Sequence, residues 1–418
     1  MEDKEFDVWV GIDWGSESHQ VCVLGVDGAP LAEKSIPHSG PGMAALVAWL
    51  TEMGTPTRIA VAIEVPRGPV VETLLDHAFS VFAVNPKQLD RFRDRFSAAG
   101  AKDDRRDALV LASALRTDLV AFHRVKLDDP LIVRLREVSR MTEELSRELR
   151  QRTNQLRDLL LRYFPQPLRL SAGADEPWLW SLLSVAPTPT GAARLTRAKL
   201  ERLLKHHRIR RFSPDELHAT LREAPLTVAP GVVEAAAEHV TLLVKRIELA
   251  AEQQRQCERR LAELLDELEA DAGHSAEHRD VQVLRSLPGA GNHVVATMLG
   301  EASDLLRDRN YHALRCIAGA APVTRQSGKR KQVVMRRGCS RRLRNAVHFL
   351  GAAHAQYDPH GRERYEQLRG RGHSHARAVR AIADRLLDVL MVMLRTGTTY
   401  DPELRRRHAS PLSRKMPC

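Results

Sequence analysis

Residues 100–109 read G-A-K-D-D-R-R-D-A-L. Three carboxylates, Asp103, Asp104 and Asp107, stand among basic residues at the start of a predicted helix that continues A-L-V-L-A over 108–112. On a helix Asp104 and Asp107 share a face, and two carboxylates on one face repel unless a cation lies between them or water solvates them. The ordinary explanation of such a stretch is an acidic first turn favoured by the helix dipole. The chain upstream supplies a different one.

Residues 6–12, F-D-V-W-V-G-I, read as an apolar-rich strand ending in Asp13, followed by Trp14, Gly15 and Ser16. Strands are expected at 20–26 and 30–36, joined by the Asp27-Gly28 turn. An amphipathic helix at 41–52 leads to a fourth strand, R-I-A-V-A-I-E-V at 58–65, with Glu64 near its end. Pro66-Arg67-Gly68 opens another helix, 80–84 is a short fifth strand, and a helix around 89–96 precedes the acidic one. A three-strand meander followed by alternating helices and strands implies a mixed sheet with parallel pairing in its second half. Ligands of such sheets gather beyond the carboxyl ends of the strands, where Asp13 and Glu64 fall. Asp13, Glu64, Asp104 and Asp107 are therefore expected to converge on one edge. Four clustered carboxylates stay ionised only beside cations, and an all-oxygen donor set selects Mg2+ or Mn2+. Two such ions about 3.5–4 Å apart can clamp a phosphodiester in displacement.

The words G-I-D-W-G (11–15), I-E-V-P (63–66) and A-K-D-D-R-R-D-A (101–108), with their spacing of acid, acid and acid-x-x-acid, resemble the N-terminal RNase H-like (RuvC-like) domain of the DEDD transposases of bacterial insertion sequences. The resemblance implies an α/β nuclease domain over 1–125, joined to a C-terminal transposase domain. It also implies that Asp13, Glu64, Asp104 and Asp107 are the metal ligands. That family usually carries a neutral residue where Asp103 stands, so Asp103 remains an alternative to Asp104. G-I-D-W-G-S also suits the first phosphate loop of an actin-like ATPase, but no second D-x-G turn and no glycine-rich adenosine segment follow in order.

Net charge is +11 and the isoelectric point is near 9.7. The surplus, mostly arginine, favours a polyanion partner, with DNA the expected one. Five scattered cysteines without a C-x-x-C pair argue against a zinc site and against a disulfide framework, and fit a reducing compartment. The N-terminus lacks an apolar signal core, and no run approaches the ~20 apolar residues that span a bilayer. A cytoplasmic, nucleoid-associated protein away from the membrane is the expectation.

Over 126–275 two heptad-like seams appear. One runs Leu131, Leu135, Val138, Leu145, Leu149, Leu156, Leu159, Tyr163, broken by Thr142 and Arg152. The other runs Val240, Leu243, Ile247, Ala250, Cys257, Leu261, Leu264, Leu268, broken by Gln254. They predict a helical coiled-coil region, either a hairpin within one chain or the seam of a homo-oligomer (dimer or tetramer). A small helical insertion at 166–230 carries Trp178, Trp180 and the basic run K-H-H-R-I-R-R at 205–211.

Over 276–398 an all-α domain is expected. S-L-P-G-A-G-N-H at 286–293 reads as a helix-hairpin-helix, whose Gly289 and Gly291 would let backbone N–H groups approach a phosphate. A-P-V-T-R-Q-S-G-K at 321–329 puts Ser327 in a turn amid Arg325, Lys329, Arg330 and Lys331, and Arg336, Arg337, Arg341 and Arg342 follow. These words are similar to the transposase domain of the same family, whose Q-S-G serine is the nucleophile that becomes joined to DNA. The match falls on Ser327 and not on Ser340. The resemblance implies a DNA transposase or recombinase that cleaves and exchanges strands with Mg2+ through a phosphoserine intermediate, guided by a noncoding bridge RNA. Two other classes remain: a RuvC-like junction nuclease using metal-activated water, and a catalytically dead nucleic-acid-binding scaffold. From 365 to 396 the chain reads as helix with Ile382, Leu386, Leu387, Val389 and Leu390 as its buried stripe, and 399–418 reads as a flexible basic tail.

Overall fold

The computed structural model describes residues 6–84, 86–93, 103–271, 273, 276–328 and 330–402. The chain divides into two compact units, meeting in sequence between Asp128 and Asp129.

The first unit is a mixed sheet between two helical layers. Its elements are β1 (Val8–Asp13), β2 (Ser18–Leu24), β3 (Pro30–Pro37), α1 (Gly40–Met53), β4 (Ile59–Ile63), α2 (Pro69–Asp76), β5 (Ser80–Ala83), α3 (Pro86–Arg93), α4 (Asp104–Thr117) and β6 (His123–Arg124). The strand order is β3-β2-β1-β4-β5-β6. β1 runs antiparallel to β2 and parallel to β4, and β4 is parallel to β5. The sixth strand is two polar residues long and carries no pattern that a sequence reading detects. Side chains alternate across a strand. Val8, Val10 and Ile12 of β1 join Ile59, Val61 and Ile63 of β4 in one core, packed by Leu46 and Leu50 of α1 and Val71 and Leu74 of α2. The opposite face receives α4, through Ala60, Ala62, Val110, Leu111, Ala114 and Leu115.

That face admits a helix because of Gly11. A Cβ on Gly11 would collide with the Ala108 carbonyl oxygen and sit 2.5 Å from the Ala112 nitrogen. The backbone of α4 therefore rests on the backbone of β1.

The second unit is mainly helical. A long hairpin of α5 (Pro130–Tyr163) and the later α10 (Val232–Ala270) encloses the insertion helices α6 (Pro177–Val185), α7 (Pro189–Ala193), α8 (Arg197–His206) and α9 (Pro214–Leu221) between its two arms in sequence. Leu156, Leu160 and Tyr163 of α5 meet Val240, Leu243 and Ile247 of α10 in one core, built around the fully buried Trp178. At the other end Ile132 and Leu135 meet Leu261, Leu264 and Leu268. The two seams thus close on each other antiparallel within one chain. The breaker Thr142 is buried and donates to the Val138 carbonyl of its own helix (2.8 Å).

The second of these cores continues into α11 (Ala276–Arg285), α12 (Asn292–Arg307), α13 (Tyr311–Ile317), α14 (Arg341–Tyr357), α15 (Pro359–Gly370) and α16 (His375–Thr396), so 276–398 belongs to the same compact unit as the hairpin. Ile382, Leu386, Leu387 and Leu390 are buried on α16, and Val389 is half-buried. The expectation of an all-α region fails at one place: β7 (Val323–Ser327) and β8 (Arg330–Val334) form an antiparallel two-stranded ribbon. Residues 403–418, read as a tail, lie outside the described residues.

Gly11→Ala is expected to lower the stability of the first unit by about 3 kcal/mol or more, because overpacking here meets helix backbone that has no rotamer to yield. Gly40→Ala, whose new Cβ meets open space, is the control, and thermal denaturation of the two variants checks the difference.

Candidate active site and nucleic-acid interface

The alternation that buries Val10 and Ile12 on one face sends Trp9, Gly11 and Asp13 to the face covered by α4. Ile12 is paired with Ile63 in the parallel ladder, so Asp13 and Glu64 leave neighbouring strands at the same end. By the parity of Ala60 and Ala62, Glu64 follows onto the α4 face. On α4 itself Asp107 directly precedes Ala108, the residue seated on Gly11. Asp13 and Glu64 thus follow neighbouring strand ends, and Asp107 stands on the helix that covers the same face of the sheet. Asp104, the first residue of α4, is exposed, as is Asp103, which is the N-cap and accepts from the Arg105 backbone N–H. Asp103 thus has a capping role of its own, and Asp104 holds the register with Asp107.

Asp107 is 1% exposed, and its charge is met by Arg93 at the end of α3. The Arg93 Nε and Nη2 donate to its two oxygens at 2.6 and 2.7 Å. Arg93 also donates to Asp90 (2.6 Å). The hydrogen bond to Asp107, followed by the charges of Asp107, Asp90 and Glu64, raises the guanidinium's affinity for its proton against the cost of burial. Sequence reading passed over Arg93, because its partner lies fourteen residues away across residues 94–102, which lie outside the described residues.

A second unforeseen group lies beside Asp13. The ring of Trp14, 45% exposed, stands against His19 and His38. His19 is fully buried, its Nδ1 accepts from the Gly15 N–H (3.3 Å), and its Nε2 lies 2.9 Å from His38 Nδ1. Since Nδ1 accepts, Nε2 carries the proton and donates to His38. Burial, with the nearby His38, pushes the His19 pKa below the ordinary imidazole value.

In the second unit, Ser327 is exposed at the end of β7, next to Gly328, which has φ +55°. The ladder pairs Ser327 with Arg330 and Arg325 with Gln332. Residues two apart share a face, so Arg325, Ser327 and Arg330 project on one side of the ribbon, and Gln326 and Lys331 on the other. Arg325, Arg330 and Lys331 are all exposed, as are Arg337 and Arg341, while Lys329 lies outside the described residues. Arg336 is half-buried and donates to the Ala321 carbonyl (3.3 Å).

Two expected phosphate-binding residues serve other ends. Arg342, with a side chain 19% exposed, donates to Glu143 (2.5 Å), Glu301 (3.0 Å) and Ser139 (2.9 Å). It ties α14 to α5 and α12. Gly289 does turn the chain before α12, with φ +89°, but a Cβ there would lie 2.5 Å from the Ala353 Cβ of α14. Its missing side chain makes room for that helix. Gly291, the N-cap of α12, faces open space.

Comparison with known proteins bears on both units. A DEDD-type family model described as "Transposase" matches residues 10–165, and one described as "Transposase IS116/IS110/IS902 family" matches 281–366. The Mini-circle protein of Streptomyces coelicolor, named as a transposase for IS117, is 32% identical over 96% of this chain and 97% of its own length. The chain belongs to the IS116/IS110/IS902 transposase family. A Sinorhizobium fredii protein named as a transposase, y4uE, is 50% identical over 207 residues, spanning 49% of this chain and 58% of that protein. The protein of insertion element IS110 from Streptomyces coelicolor is 27% identical over 97% of the chain.

Transposases cut and rejoin DNA, and this transposase has no described helix long and apolar enough to cross a membrane. The DEDD family implies a divalent cation generally. The donor chemistry here suits one: every candidate is a carboxylate, and the buried Asp107 already holds a cation in bidentate fashion. Among the described residues, no three His, Cys, Asp or Glu side chains form a ready-made ligand set.

His19 gives the transposase an acid-sensitive point. In the unfolded chain it takes a proton near about pH 6.5, whereas the folded protein resists until lower pH. Its stabilising share is therefore complete above that value and is lost as the pH falls from there through the lower folded-state value. Between pH 7.5 and 5.5 the wild-type melting temperature is expected to drop more steeply than that of His19→Gln, measured by thermal denaturation at constant ionic strength.

Proposed function

We propose that this transposase moves an insertion element by divalent-metal-dependent cleavage and exchange of DNA strands, with Ser327 as nucleophile. The observation that carries the reading is an exposed serine at the end of a basic ribbon, flanked on its own face by Arg325 and Arg330. Asp13, Glu64, Asp104 and Asp107 would hold Mg2+ or Mn2+, which when bound polarises a phosphodiester as a Lewis acid. The Ser327 hydroxyl gives up its proton as its oxygen bonds to phosphorus. The bridging P–O bond to one deoxyribose breaks, and the departing oxygen takes a proton. Arg325 and Arg330 neutralise the nonbridging oxygens as charge builds on them. A phosphoserine conserves the phosphodiester's bond energy, so attack by another strand's hydroxyl rejoins DNA and frees the serine. Cutting and joining two duplexes calls for several copies of the site, hence a homo-oligomer, a dimer or tetramer assembled through the long helices. A noncoding bridge RNA that pairs with donor and target DNA is the guide we assign. The net charge of +11 and the exposed arginines suit such polyanions.

Ser327→Ala is expected to abolish the DNA-linked species that survives denaturing electrophoresis, together with strand exchange. A variant that still cuts would mark a hydrolytic nuclease using water. On the ribbon, Arg330→Ala should cost about a hundredfold in exchange rate, while Lys331→Ala, on the opposite face, should cost far less. Sequencing of the nucleic acid that copurifies tests the guide: one discrete RNA supports it, and random fragments refute it.

A further inference from the structure

We propose that Arg93 is the resident cation of the carboxylate edge and competes with the divalent ion for Asp107. The inference rests on the metal-site reading above. A carboxylate as buried as Asp107 is costly without a positive partner, and Arg93 supplies one with a planar fork that engages both oxygens. A divalent ion drawing on the same two oxygens would meet the guanidinium's positive charge, so each occupation weakens the other. Neutralisation by Arg93 is nevertheless incomplete. Among the described residues, the carboxylates Asp107, Asp90 and Glu64 all act on this one guanidinium. The deficit continues to draw a cation of higher charge to the edge. Arg93 thereby lets the first unit fold around a buried acid without metal, and sets a threshold that the metal must exceed to load. It also accounts for the absence of a ready-made three-donor set among the described residues, because the donor at the centre of the edge is turned to the guanidinium.

The test is Mn2+ binding to the full chain without DNA, read from the electron paramagnetic resonance of free Mn2+. The Asp13→Asn variant defines binding elsewhere. Arg93→Gln is expected to bind Mn2+ about tenfold more tightly than wild type, as removal of a competing charge from a carboxylate warrants. Its melting temperature should be lower than wild type's without metal, and should rise more on adding Mn2+. Arg93→Lys, which keeps a positive charge but loses the fork, guards against a Gln variant that does not fold, and should fall between the two. Unchanged or weaker binding in both variants, with wild type binding normally, would overturn the competition and make Arg93 a support for a metal ligand. If wild type binds no more Mn2+ than Asp13→Asn, the metal-site reading itself fails and takes this proposal with it.

Discussion

The contact on which the rest of the first unit depends is backbone against backbone: α4 lying on β1 where Gly11 has no side chain. One missing Cβ sets the height of the helix above the sheet. With Ala108 seated on Gly11, the preceding residue, Asp107, has to fall toward the carboxyl ends of β1 and β4. The ladder then does the rest, since Ile12 opposite Ile63 aligns the exits of Asp13 and Glu64. Acids far apart in sequence are set toward one end of the sheet by two constraints, a register and a close approach. Each is fixed by apolar packing rather than by the acids. This ordering matters because the acids repel one another and oppose their own assembly. A scaffold that buries Val10, Ile12, Val61 and Ile63 on the far face holds them in place whatever their charge state.

The second unit sorts its arginines by depth. Arg342 with Glu143 and Glu301, Arg309 with Asp280, and Arg315 with Asp384 are partly or largely sheltered and paired. These pairs fix helices to one another, and half-sheltered, fork-to-carboxylate geometry suits arginine for that purpose. Other basic residues stay outward, along α5, α8 and α10 as well as on and after the β7–β8 ribbon. Net charge therefore overstates the surface that meets a polyanion. A phosphate-facing arginine and a helix-tying arginine look identical in sequence, which is why Arg342 was grouped with Arg341, its exposed neighbour.

Legibility follows the range of the interactions. The first five strands, α1 and α4 were readable because their patterns are local: alternating apolar residues, a turn at Asp27-Gly28, an apolar run after clustered acids. The strand ends carrying Asp13 and Glu64 followed from the same patterns. What escaped was set by distant partners. Arg93 is one charge in a basic chain until α3 brings it to Asp107. His19 and His38 are nineteen residues apart and meet only across the β2–β3 pairing and the turn into α1. The heptad seams were visible, but periodicity does not say whether the complementary seam belongs to the same chain. The ribbon was missed because its strands are mostly polar and exposed, and alternation is silent when neither face is buried.

The two halves of the proposed chemistry make opposite structural demands, and the fold offers each a different setting. Carboxylates that share a cation lose their use if their spacing drifts, so they stand on strand ends and on a helix locked to the sheet. A nucleophilic hydroxyl needs reach and exposure, and must hold a large substrate and later release it. A two-stranded ribbon with little buried surface of its own is marginal in isolation, and a DNA phosphate between Arg325, Arg330 and Ser327 would add to it the contacts that the protein omits. Part of the order of the nucleophile's arm would then come from its substrate, whereas the order of the acids is complete without it. On the proposed mechanism the serine would gain its working position only where DNA is present, and a hydroxyl carried on an exposed basic arm would be held back from reaction in the substrate's absence.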